Sequence, residues 1–165
     1  MLWRLRAEPM TLYRYDLAIA TERALDIVDL TPRLRKLLAD SGVQQGQMLI
    51  FNRHTTTALA INEYEPRLLE DVRAHLRRLA PVSGHYLHND LDRRPDIPAD
   101  EPINAHAHLM AINLHNHEWV PVVDGELGLG QYQSVLFLDL DGPRSRRLWV
   151  QIQDLGQAST GRLAK

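Results

Sequence analysis

The chain of 165 residues holds eight histidines and no cysteine, so its candidate chemistry belongs to imidazole, carboxylate and guanidinium groups. There is no thiolate zinc site, no cysteine nucleophile and no disulfide framework. Four histidines, His106, His108, His115 and His117, fall within twelve positions. A divalent metal such as zinc would take imidazole nitrogens, typically three plus water in an open site. A His-x-His pair presents both rings to one side in an extended segment but splays them on a regular helix, so His106 and His108 work together best at a helix entrance. With His54 and His88 they form a set of four, one more than such a metal needs. Three of the four would hold the metal and the fourth would contact substrate instead. The competing reading is ordinary hydrogen-bonded histidines.

His54 follows Phe51-Asn52-Arg53 at an expected strand end and precedes Thr55, Thr56 and Thr57. Hydroxyls beside an imidazole can bond a phosphate or a metal-bound water, although β propensity accounts for the threonines equally well. Asn62-Glu63 closes the next strand, where the carboxylate is a candidate general base or the start of a turn. In His88-Asn89-Asp90 an imidazole has a carboxylate two residues on, an arrangement of ligand and orienter. Arg144, Arg146 and Arg147 surround the turn after Asp141, where forked donors can clamp phosphate or simply keep a hairpin soluble.

These residues need a scaffold, and composition supplies one. With 44% hydrophobic and 24% charged residues and a net charge of −2, the chain has material for one core and lacks the basic surplus of a nucleic-acid binder. No apolar run reaches the roughly 20 residues of a membrane span, and the first residues lack a secretory pattern, so no membrane partner and a cytoplasmic location are expected. Alternation from Tyr13 to Ala20, and more briefly from Ala24 to Leu30, predicts strands. Thr31-Pro32 reads as an N-cap and first helical position, with Leu34, Leu37 and Leu38 as the apolar stripe and Gly42 as the stop. Strands are expected over 47–52 and 56–61. A helix opening at Pro66 should bury Leu68, Leu69, Val72, Leu76 and Leu79 and turn Glu70, Arg73, Arg77 and Arg78 to solvent. Residues 81–102 read as a long loop and 105–114 as a third helix. Strands over 119–123, 135–140 and 147–152 are joined by turns at Asp124-Gly125 and Asp141-Gly142-Pro143. The result is a single compact α+β domain with a mixed or largely antiparallel sheet and helices packed on it. It is expected over 11–153, after an N-terminal extension at 1–10 and before a tail at 154–165.

Five segments in order, His54-Thr-Thr-Thr-Ala-Leu-Ala-Ile-Asn62-Glu63, Tyr86-Leu-His88-Asn-Asp90, Asn104-Ala-His106-Ala-His108-Leu, Val120 through Gly130, and Asp141-Gly-Pro-Arg144, closely resemble the YjbQ family, often labelled secondary thiamine-phosphate synthase. The resemblance runs from about Thr11 to Gln153. It implies a compact α+β fold, assembly as a homotrimer and a His-rich pocket for a metal or an anion. It also implies weak thiamine-phosphate synthesis, in which a pyrimidine diphosphate joins a thiazole phosphate with loss of pyrophosphate. Carried to this chain, His54, Glu63 and Asp90 take catalytic roles, Thr55, Thr56, Asn62 and Arg144 contact a small phosphorylated substrate, and His88, His106 and His108 hold a divalent metal. Met110 stands where the family usually has a basic residue, and Gln131-Tyr132-Gln133 replaces its usual Thr-Trp-Gln, which bears on substrate choice. Two rivals to synthesis are a metal-assisted phosphate-ester hydrolase and a non-catalytic metal- or ligand-binding trimer.

Overall fold

The structure, a computed structural model, describes residues 11–156. The expected extension at 1–10 and the end of the expected tail lie outside the described residues. Eight strands and three helices follow in the order β1 (Leu12–Ala20), β2 (Asp26–Asp29), α1 (Thr31–Ser41), β3 (Gln45–Asn52), β4 (Thr57–Asn62), α2 (Pro66–Leu79), α3 (Ala105–Ala111), β5 (His117–Val123), β6 (Glu126–Leu127), β7 (Ser134–Asp139) and β8 (Ser145–Asp154). The α+β expectation holds, and every strand pairing is antiparallel. The strands divide between two sheets, one of five in the order β1-β8-β3-β5-β6 and one of three in the order β2-β7-β4.

The three-stranded sheet is the middle layer. Alternation along its strands sends Leu59, Val135 and Phe137 towards the five-stranded sheet, where they join Met48, Ile50, Val120, Leu148, Val150 and Ile152. It sends Ile27, Ala58, Leu136 and Leu138 the other way, onto Leu69 and Leu76 of α2 and Ala107 and Met110 of α3. A strand buried on both faces loses the apolar-polar alternation that marks a half-buried one, which is why β7 carries the unbroken apolar run Val135–Leu138. Burying a side chain such as Phe137, fully enclosed here, contributes about 1.5–3 kcal/mol relative to leaving it exposed.

Several local details add to or depart from the sequence reading, among them Leu79, expected on the buried face of α2 but 47% exposed. Leu30, not Thr31, is the N-cap of α1, and the Thr31 hydroxyl instead accepts the Val135 N–H at 2.9 Å, tying helix to sheet. Glu65 caps α2, its carboxylate accepting the Arg67 and Leu68 N–H groups at 3.0 and 2.7 Å. Arg73, expected at the solvent, is 4% exposed. Its Nε donates to the Leu25 carbonyl at 3.2 Å and its Nη1 to Glu70 at 2.8 Å, so a guanidinium reaches from α2 to the turn after β1. The Leu25 backbone is in the left-handed region, with φ of 56°, and Arg73 fixes that bend from below.

The expected loop over 81–102 contains two short 3-10 turns, Leu87–Asn89 and Leu91–Arg93. Arg94 holds it closed by donating to the His88 carbonyl at 3.0 Å and to Glu101 at 2.7 Å. Asn89 accepts the Ala105 N–H at 3.1 Å, docking the loop on the start of α3. That helix ends at Ala111, three residues before the expected end.

Candidate functional site

The residues between β3 and β4 are shaped by Asn52, the last residue of β3 and 4% exposed. Its amide donates to the carbonyls of His54 and Thr57 at 2.9 and 2.8 Å, and its oxygen accepts the His54 N–H and the Thr57 hydroxyl. One side chain thereby replaces the ladder that a sharp turn cannot make. The His54 ring is held from a third direction, its Nε2 accepting the Arg147 backbone N–H at 3.0 Å. That bond assigns the neutral tautomer protonated on Nδ1. Burial, and next the Arg146 guanidinium, hold its pKa below the usual histidine value.

His54, Arg53, Thr55 and Thr57 line a pocket of about 510 Å³ with Phe51 and, from α3, His108. His108 also lines an adjoining cleft of about 470 Å³ with His85, Tyr86 and His88. The His88 and His108 rings meet edge to face, centroids 4.9 Å apart and planes at 70°. Burial and then the His88 ring lower the His108 pKa. Three histidines from three separate segments, His54, His88 and His108, thus follow one continuous surface with His108 at its centre. Arg53 stacks over Trp149 at 4.2 Å, which places a cation at the pocket edge.

The other expected site residues lie elsewhere. His106 is one position into α3, and helical geometry turns it away from His108; it lines neither cavity. Its Nδ1, His88 Nε2 and Asn104 Oδ1 are buried without a hydrogen-bond partner among the described residues. Thr56 is buried beneath the pocket, its hydroxyl accepting from Arg146 at 3.3 Å. Arg144 folds onto its own turn, bonding the Asp141 carbonyl at 2.9 Å and carboxylate at 3.1 Å. Asp90 faces a cavity with Asp92 and Arg93. Asn62 and Glu63 stand at the far end of β4 beside a different pocket, with α2. Among the described residues no three His, Asp or Glu side chains are grouped so as to hold a metal ion.

Beneath the pocket floor lies a buried network that the sequence reading missed. Arg146, 6% exposed, makes a two-pronged pair with fully buried Asp139 at 2.7 and 3.0 Å. The Thr21 hydroxyl donates to the same carboxylate at 2.7 Å. Asp139 also accepts the Asp141 N–H, while Asp141 accepts from Asn104 at the start of α3. One chain of bonds therefore joins β1, β7, β8 and α3 under His54. A signal was available: Arg146, Leu148, Val150 and Ile152 share one strand face, which puts the arginine on the core side.

A family model described as UPF0047 protein YjbQ-like matches residues 15–155. The chain belongs to the YjbQ family. A UPF0047 protein of Methanothermobacter thermautotrophicus is 38% identical over 143 residues, 87% of this chain and 93% of the relative. One from Archaeoglobus fulgidus is 39% identical over 136 residues, 82% and 98% of the two chains. Among solved structures, a YbjQ-like protein of unknown function from Sulfolobus solfataricus superposes with a TM-score of 0.79 at 33% identity, covering 88% of this chain and 99% of that one. A hypothetical protein from Aeropyrum pernix gives 0.77 at 34% identity, covering 86% and 98%. These agreements over nearly the whole YjbQ domain fix its architecture. No helix among the described residues is long and apolar enough to cross a membrane.

The lowered His54 pKa has a consequence for stability. Folding disfavours the protonated ring, so between the lowered folded value and the unfolded value of 6.5 the unfolded chain binds more protons. The stability this ring contributes is complete above the unfolded value and is lost as pH falls towards the folded one. Urea midpoints measured from pH 7.5 to 5.5 are expected to fall more steeply in the wild type than in His54→Gln, and parallel curves would refute it.

Proposed function

We propose that the His54–His108 pocket binds a phosphorylated small molecule and supports weak thiamine-phosphate synthesis, in which a pyrimidine diphosphate joins a thiazole phosphate and pyrophosphate departs. The observation that supports this is the convergence of two neutral imidazoles and the Arg53 guanidinium on one cavity. As the carbon–oxygen bond to the diphosphate breaks, negative charge grows on the leaving oxygen. The His54 Nδ1–H, the Thr55 hydroxyl and Arg53 are the donors available to meet it, and pre-positioned donors are worth most where charge develops. Asn52 and the Arg147 N–H orient His54 for that task. Glu63 and Asp90 have no part in this reading within one chain.

A homotrimer belongs to the same proposal. The outer face of the five-stranded sheet carries Trp119 and Trp149, 49% and 39% exposed, with Val123 and Leu12 each at 50%. Pairing of Leu49 with Trp119 and Phe51 with Trp149 sets these four side chains together on one side, and an exposed apolar cluster of this kind suits self-association.

A second reading, a metal-assisted phosphate-ester hydrolase, draws support from the 4.9 Å His88–His108 pair and the unpartnered His88 Nε2. Among the described residues one chain offers that pair but no group of three ligands, so no step is assigned to a metal. A bound divalent ion would supply Lewis-acid charge.

Mixing the untagged protein with both organic phosphates separates the readings. Thiamine phosphate and pyrophosphate in equal amounts, abolished in His54→Ala, are expected. Inorganic phosphate released from one ester alone, with stoichiometric zinc on elemental analysis, would favour the hydrolase. Ligand binding without turnover would leave a binding protein.

A further inference from the structure

On the opposite side of the three-stranded sheet from the five-stranded one, α2 stands off the sheet and leaves a second pocket of about 360 Å³, within the range of small-molecule sites of about 300–1,000 Å³. Its sheet wall is Ile27, Leu136, Leu138 and Ala60, and its helix wall is Leu68, Val72 and Leu76, with Leu114 closing one end. The small side chain of Ala60 creates much of the space, because a larger residue there would reach α2. The polar lining groups are all exposed ones: Asn62 and Glu63 at the end of β4, and Asp71 and His75 one turn apart on α2. Neither carboxylate forms an ion pair or side-chain hydrogen bond among the described residues, although Lys36, Arg23, Arg73, Arg94, Arg144, Arg146 and Arg147 each have an acidic partner. An apolar chamber with two unneutralised carboxylates at its entrance is complementary to a molecule with an apolar body and a cationic head.

We infer that this pocket binds a small aryl- or alkylammonium compound, its hydrocarbon part between α2 and the sheet and its ammonium group against Glu63 and Asp71. Primary amines fit best, since an –NH₃⁺ group has three donors for two carboxylates and the Asn62 amide oxygen. A neutral or anionic body of the same shape would enter the apolar chamber but gain nothing, or suffer repulsion, at its mouth. The site is independent of the His54–His108 pocket. The two lie at opposite ends of β4, whose six residues span about 20 Å, and no lining residue is common to both.

The test uses phenethylammonium, the neutral 2-phenylethanol and the anionic 3-phenylpropanoate as probes, followed through methyl NMR signals of Ile27, Leu76, Leu114 and Leu138. Phenethylammonium is expected to shift those methyls and to bind about tenfold more tightly than 2-phenylethanol, the gain of a charge-assisted contact over a neutral one. The double variant Glu63→Gln/Asp71→Asn, which changes only exposed groups, should remove that preference and leave the fold intact. Ala60→Leu should abolish binding of all three probes by filling the chamber. Equal affinity for the three probes, shifts confined to the His54–His108 pocket, no binding of phenethylammonium, or an undiminished preference in the double variant would each overturn the assignment.

Discussion

Replacing Arg146 by alanine is expected to destabilise the protein by about 3–5 kcal/mol, the usual consequence of leaving a buried charge without its partner. Asp139 is fully buried, so its carboxylate would lose two guanidinium bonds and keep only the Thr21 hydroxyl and the Asp141 N–H. Urea denaturation followed by circular dichroism reads the loss as a fall in midpoint. The pair is a geometric device as much as a stabilising one, because Arg146 also holds Thr56 directly beneath the His54 turn. The double replacement Asp139→Leu/Arg146→Met removes both charges and should recover much of the stability. If Arg146→Ala shifts the midpoint no more than an exposed control such as Arg14→Ala does, the network is not what holds these strands in place.

The second large effect concerns chemistry. If the proposed thiamine-phosphate synthesis takes place in this pocket, His108→Ala is expected to lower it by about 10²-fold or more, the scale for loss of a group that positions a substrate. His108 is the one histidine that borders both the His54 pocket and the His88 cleft, so its removal affects every arrangement of substrate along that surface. His115→Ala is the matched control, since that exposed ring bonds Glu118, which lines neither cavity. Rates within a few fold of wild type in His108→Ala, with unchanged unfolding midpoint, would take the reaction away from this pocket. Partial rescue of the variant by added imidazole would show that the missing group is the ring itself rather than its packing.

The two effects together describe how the fold positions the site. The buried Asp139–Arg146 pair and Asn52 fix the turn that carries His54, whereas Arg94 and Asn89 fix the loop that carries His88. Loops are able to hold chemistry only when their backbones are bonded to rigid neighbours. Both segments meet that condition through side chains bonded to the backbone on either side of them.

Much of the fold was legible in the sequence because its signals are local. Period-two alternation located β1, apolar segments bounded by turn residues located β3, β5 and β8 to within a few residues, and Pro66 with the leucine stripe located α2. The Asp124-Gly125 turn is where it was expected, both residues having positive φ, 52° and 77°, as a two-residue hairpin requires. The ordered His54, His88 and His108 segments marked the family and three members of the candidate surface.

What the sequence by itself determined is therefore the set of elements, the family and the chemical character of the site: imidazole, hydroxyl and guanidinium without thiol. The tertiary structure decided which of those groups meet. His106 and His108 are two residues apart, yet the helical turn separates them, so one faces the pocket and the other does not. Glu63 and His54 flank the same strand, yet its length puts them at its opposite ends beside different pockets. Arg73 and Arg146 look like surface charges until packing places one under the Leu25 bend and the other against Asp139. The physical reason is the same in each case: propensity and periodicity act over a few residues, whereas the direction of a side chain and the company it keeps depend on how sheets and helices are stacked by the burial of their apolar faces.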